Sequence, residues 1–184
     1  LFTKYHIKAD KPSPPHQLQE CNTTKIWVNV TGGEANTVYT ANITVTEPSG
    51  KNYTALVSLS NTTTTGYGEG KRIYPNDFGT KAHTNNTGTY HVFFNETLAT
   101  DNFTIGLTDK LEYRINETVL VQAAGYGSLE IVTADIKVEG LSVATFPKNL
   151  TANTGGVITF SWKILSDATP GNYNLTLTNA TSPG

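Results

Sequence analysis

Twelve asparagines are followed two positions on by threonine: Asn22, Asn29, Asn42, Asn52, Asn61, Asn85, Asn95, Asn102, Asn116, Asn149, Asn174 and Asn179. Asn-x-Ser/Thr is the acceptor signal for N-linked glycosylation, the sugar joining the side-chain amide nitrogen. With 17 Asn and 40 Ser plus Thr among 184 residues, random placement gives about four such triplets. The excess is therefore roughly threefold. In an extended strand residues i and i+2 share a face, so the Asn and Thr of a sequon point the same way. The apolar residues respect that division. Ile26, Val28 and Val30 oppose Asn29 and Thr31, while Tyr53, Ala55, Val57 and Leu59 oppose Asn52 and Thr54. Phe103 and Ile105 oppose Asn102 and Thr104, and Tyr173, Leu175 and Leu177 oppose Asn174 and Thr176.

Other chemistry finds no residue set. His6, His16, His83 and His91 are scattered, with no His-x-x-x-His and no Asp-x-Asp-x-Asp-Gly loop, so no metal or other cofactor beyond covalent N-glycans is expected. The sole cysteine, Cys21, excludes an intrachain disulfide and lies beside a sequon, a poor setting for a catalytic thiol. Gly66-Tyr67-Gly68-Glu69-Gly70 lacks the Lys-Ser/Thr and the following helix of a phosphate loop and reads as a surface turn. No Gly-x-Ser-x-Gly elbow occurs, so the chain does not read as an enzyme. A net charge of −2 without runs of either sign offers no basic stripe to nucleic acid. No segment approaches the roughly 18 apolar residues of a membrane-spanning helix. An opening at Leu1 without Met reads as a secreted chain whose signal peptide has been removed.

The elements that must position the sequons are strands. Apolar residues alternate with period two between Gly, Pro, Asn and Asp punctuation, which predicts an all-β fold. Gly88-Thr89-Tyr90 and Gly171-Asn172-Tyr173 each precede alternating apolar residues and form a weak repeat, in the manner of the penultimate strand of an immunoglobulin-like sandwich. After the first copy a last strand is available around Phe103 and Ile105; after the second, Asn179 to Gly184 hold no alternating run. The expected organisation is an N-terminal strand over 1–10, a Pro-rich linker over 11–19, and two immunoglobulin-like β-sandwiches over 20–107 and 108–184, the second lacking its final strand. Trp162 falls on an apolar face, whereas Trp27 falls beside Asn29, where it could stack on a glycan.

Residues 1–9 alternate as well, with Leu1, Tyr5, Ile7 and Ala9 on one face. The prolines at 12, 14 and 15 forbid an immediate hairpin. The segment therefore reads as a displaced donor strand anchored by those four residues; an edge strand of its own domain is the other reading. A spare strand at one end and a missing strand at the other invite head-to-tail polymerisation by strand addition.

The displaced strand, the proline linker, the twelve sequons and the two-sandwich pattern together resemble the subunit of archaeal thread filaments, glycosylated surface fibres built by donor-strand exchange. The resemblance spans the whole chain and rests on no sharp motif. It implies an extracellular surface filament, assembled without a cofactor from neighbouring copies of one subunit, supporting adhesion or biofilm formation through contact with surface glycans or other cells. The alternative is a monomeric glycosylated recognition or cell-wall lattice domain that binds carbohydrate or protein. The intact mass of the secreted protein should exceed the 19.9 kDa of the polypeptide and fall stepwise as sequon threonines are replaced by alanine. The bare polypeptide mass would reject the acceptor reading.

Overall fold

Residues 3–179 are described by a computed structural model, and among them there are fourteen strands and no helix. The chain divides into two compact units, Leu1–Leu107 and Thr108–Gly184.

In the first unit β1 (Lys4–Ala9), β3 (Thr24–Thr31) and β6 (Gly68–Tyr74) form one sheet. The second sheet runs in the order β2 (Leu18–Gln19), β8 (Thr100–Gly106), β7 (Gly88–Phe94), β4 (Thr40–Thr46) and β5 (Asn52–Ser58). All pairings are antiparallel except β2 with β8. The inward residues of both sheets meet in one continuous core, with Ile26, Val28 and Val30 on one side and Ile43, Val45, Val92 and Phe103 on the other, all fully buried. Each such side chain contributes about 1.5–3 kcal/mol of burial. The buried Glu47 carboxylate is not left bare, since Tyr74 Oη donates to Glu47 Oε1 at 2.8 Å and the His83 N–H at 3.3 Å. Burial first, and then that bond, pushes the Tyr74 phenol far above its ordinary pKa.

In the second unit β10 (Ile131–Val138) is the central strand. It pairs along one edge with β11 (Leu141–Ser142) and β12 (Lys148–Thr151), and along the other with β14 (Tyr173–Asn179). Opposite lie β9 (Thr118–Ala123) and β13 (Ile158–Lys163), paired with each other. Ala134, Ile136 and Phe146 pack with Phe160, Trp162, Tyr173 and Leu175, so a core again lies between facing sheets.

Two local devices recur. Tyr90 Oη donates to the Asn86 carbonyl at 3.0 Å and Tyr173 Oη to the Thr169 carbonyl at 2.8 Å, each bond spanning four residues at the start of β7 and β14. Gly66 (φ +75°) accepts from the Gly33 N–H and Gly156 (φ +72°) from the Tyr126 N–H. A Cβ on either glycine would stand about 2 Å from a backbone oxygen, that of Gly33 or Tyr126. The glycine-rich stretch 66–70 is a turn only at its start: Gly66 closes a tight turn, whereas Gly68, Glu69 and Gly70 already belong to β6, whose Gly70 backbone passes close to the Ser58 carbonyl.

The N-terminal strand differs from expectation. It is not held away from its body: β1 lies antiparallel on β3 of its own unit, with Tyr5 opposite Val30, Ile7 opposite Val28 and Ala9 opposite Ile26. The prolines do exclude a two-residue hairpin, but residues 10–23 are long enough to carry the chain back. The Asp10 N–H donates to the Lys25 carbonyl at 2.8 Å, and the Thr24 hydroxyl donates to the Asp10 carbonyl. The stretch expected to be only linker also contains β2, a strand of the five-stranded sheet.

Gly156→Ala should cost the second unit more than about 1 kcal/mol, because a positive φ and a backbone clash coincide. That corresponds to a fall of roughly 4–8 °C in its Tm, readable by calorimetry. Unchanged melting would mean the loop shifts without cost.

Candidate functional site

The Gly-x-Tyr strands allow a comparison within one chain. In β7 the inward residues Tyr90, Val92 and Phe94 are each 0% exposed, and the strand is bonded on both edges, to β4 and β8. In β14 the corresponding Tyr173, Leu175 and Leu177 are only half-buried, and among the described residues only β10 pairs with the strand. Beside them lies a groove of about 610 Å³ walled by Val119, Val121, Ile136, Trp162, Ile164 and Leu175.

Its rim is the segment 108–117, pinned at both ends. Thr108 bridges to Val121, the Asp109 N–H donates to the Leu120 carbonyl, and the Asn116 N–H donates to the Ile164 carbonyl. Between these anchors Leu111 and Ile115 stand 67% and 54% exposed. Tyr113 Oη donates to Asp109 Oδ1 at 2.6 Å. Burial and that bond together push the Tyr113 phenol up to about 12. Lys110 Nζ lies 3.3 Å from Glu117 Oε1. The Arg114 N–H and the Lys110 ammonium hold the Glu117 carboxyl below its ordinary value. An unbonded strand edge beside an apolar groove is a place where a further strand can add.

The expected donor anchors sit elsewhere in this chain. Tyr5 packs on Phe94 at 5.1 Å between ring centroids and edge-on to Tyr39 at 6.4 Å, Ile7 is half-buried and Ala9 is buried, while Leu1 lies outside the described residues. The strand's end is clamped by Asp101, whose Oδ2 accepts the Ala9 N–H at 2.7 Å and whose Oδ1 accepts Lys11 Nζ at 2.8 Å. Burial pushes the Asp101 carboxyl up, but the Lys11 ammonium and the N–H groups of Ala9 and Asn102 outweigh it and leave it below its ordinary value.

None of the twelve sequon asparagines is buried: Asn22, Asn29 and Asn85 are half-buried and the others exposed. Asn42, Asn52, Asn95 and Asn102 come together on the outer face of the five-stranded sheet. Asn149 and Asn174 lie in β12 and β14, on either side of β10. Asn85 Oδ1 accepts the Cys21 thiol at 3.9 Å, and the Asn22 carbonyl accepts the Thr84 hydroxyl. Burial, then the Glu20 charge, pushes the Cys21 thiol up, opposite to what a reactive thiolate needs. Asn29 Oδ1 is buried without a partner.

Three threonines hold sequon amides by the oxygen: Thr46 on Asn52 at 2.7 Å, Thr44, itself the threonine of the Asn42 sequon, on Asn95 at 3.1 Å, and Thr133 on Asn149 at 2.9 Å. Trp27 is half-buried and has protein partners, with Nε1 donating to Asp10 Oδ2 at 3.1 Å and Lys71 Nζ 5.0 Å above its ring. Trp162 packs against Tyr173 at 5.4 Å and helps wall the groove. Among the described residues no three His, Cys, Asp or Glu converge on a point. Comparison of the sequence with protein-family models returns no match, and comparison with curated proteins returns none either.

Because the folded pKa of Asp101 is depressed, its grip on β1 stabilises the docked strand above the ordinary carboxylate range and is lost as pH falls through the lowered value. Asp101→Ala at neutral pH should speed hydrogen exchange of the Lys4–Ala9 amides about tenfold or more, as expected for losing a charge-assisted bond. Acidification below about pH 4 should move the wild type the same way, after correction for intrinsic exchange. Equal protection in both proteins would show that Asp101 does not clamp the strand.

Proposed function

We propose that the chain is the structural subunit of an extracellular, N-glycosylated filament, polymerised head to tail by donor-strand complementation and serving adhesion or biofilm formation, as the resemblance to archaeal threads implies. Both units are read as immunoglobulin-like sandwiches, the second without its last strand. The tyrosine hydroxyl bonded four residues upstream in β7 and β14 supports this, since such a corner marks the penultimate strand of that fold. The observation that carries the proposal is the contrast between those strands. One apolar face is sealed by neighbours on both edges, and its counterpart faces an open groove.

Residues 1–9 of a neighbouring copy are the proposed occupant. Their alternation presents Leu1, Tyr5, Ile7 and Ala9 to one side, and completing the burial of Tyr173, Leu175 and Leu177 is worth on the order of a few kcal/mol. In the single chain β1 already lies on β3, so polymerisation is an exchange. The strand leaves one apolar bed for another, and the drive is the difference between them together with the bonds gained along β14. That home pairing also favours a second reading, a monomeric glycosylated surface module that binds carbohydrate or protein and needs no donor.

Deleting residues 1–9 separates the two. The filament reading expects loss of fibres in negative stain, and a synthetic peptide of residues 1–9 should raise the melting temperature of the truncated protein's second unit. If intact and truncated proteins are both monomeric and the peptide does not bind that unit, the filament reading falls and the module reading stands.

A further inference from the structure

The five-stranded sheet of the first unit turns its outer face to solvent, and its register arranges that face in rows. Asn52, Thr46, His91 and Asn102 lie across β5, β4, β7 and β8; the next row is Thr54, Thr44, Phe93 and Thr100. Beyond it Leu56 pairs with Asn42, and the Asn95 N–H donates to the Asn42 carbonyl at 3.1 Å. Four sequon asparagines thus surround Phe93. Strands about 4.8 Å apart and same-face residues about 7 Å apart put all four Cα atoms roughly 7–12 Å from that of Phe93.

Phe93 is anomalous where it stands. The inward face of β7 is supplied by Tyr90, Val92 and Phe94, so Phe93 belongs to the wet face, 39% exposed among threonines and asparagines, near Leu98 at 85%. Together with Asn52, Asn95, Thr44 and Thr100 these two apolar side chains line a groove of about 570 Å³, a volume in the range of small-ligand sites. The Thr46 and Thr44 hydroxyls donate to the amide oxygens of Asn52 and Asn95, and among the described residues no hydrogen bond uses either Nδ2. The oxygen is held, and the nitrogen that takes a sugar is left available.

We infer that this groove seats carbohydrate: the innermost sugars of the glycans on Asn52 and Asn95 lie down on the sheet, with a pyranose C–H face against the Phe93 ring. The inference rests on the acceptor reading of the sequons. A pyranose matches the site because its flat C–H face is apolar while its hydroxyl rim is polar, and here an aromatic ring is bordered by hydroxyls and amides. The seated sugars cover Phe93 and Leu98, which otherwise form an exposed apolar patch. They also withdraw this face from contact between protein surfaces.

The test compares wild type, Phe93→Ala and Phe93→Trp as glycoproteins from the producing cells. Glycopeptide mass spectrometry reads occupancy, and ¹H–¹³C spectra read the sugar C–H resonances. The expected result is occupied Asn52 and Asn95, with upfield ring-shifted sugar signals in wild type and Phe93→Trp. Those signals should be lost in Phe93→Ala at unchanged occupancy and unchanged core methyl shifts. Bare Asn52 and Asn95 would overturn the seat together with the acceptor reading at those sites. Occupied asparagines whose sugar shifts are the same in wild type and Phe93→Ala would overturn the seat alone.

Discussion

A strand that carries an apolar face between two sheets needs that face covered, and the two units cover it to different degrees. In the first, β8 lies along β7, and the Phe103 ring stacks on Tyr90 with centroids 5.0 Å apart and planes within 12°. The result is one continuous core that reaches from Ala9 to Ile105. In the second, the Tyr173 hydroxyl anchors β14 as the Tyr90 hydroxyl anchors β7, yet the residues behind it stay half-buried, and the buried residues around Val132 and Ala134 are joined through the partly buried Leu150, Phe160 and Leu177. Under the proposed donor-strand assembly, the pull on an incoming strand comes from that one shortfall in burial.

The position of β1 sets the terms of any exchange. Ladder bonds to β3 run its length, and its end is held by the Asp101 carboxylate, which gathers the Ala9 N–H and the Lys11 ammonium, together with the bonds of Asp10 to Lys25, Thr24 and Trp27. Apolar grip comes from Tyr5 against Phe94, a contact with the same β7 strand whose outer face carries Phe93. A neighbour's groove has to offer more burial than this bed together with the Asp101 clamp. The Asp101 contacts are charge-assisted, and bonds of this kind are worth more than neutral ones.

Both faces of β7 are put to use, and the division follows from its pleat. Tyr90, Val92 and Phe94 point inward and seal the first unit, while His91 and Phe93 point outward among the sequon asparagines. With the outer face given to carbohydrate, as proposed, sheet edges and the groove of the second unit are the places left for protein partners. This agrees with the strand-addition reading of the second unit.

What the sequence by itself determined is whatever depends on neighbours a few residues apart. Period-two alternation is a property of the extended backbone, so the all-β class and the separation of sequons from apolar residues in β3, β5, β8 and β14 were legible before any fold was known. The Gly-x-Tyr repeat was legible for the same reason, since its hydrogen bond spans four residues. Tertiary structure alone decided the rest. That β1 returns to β3 depends on the path of residues 10–23 and on Asp101, some 90 positions away. That Trp27 is occupied by Asp10 and Lys71, and that Phe93 stands amid four sequons, depends on register across several strands. Periodicity says which face a residue takes; only long-range pairing says what shares that face.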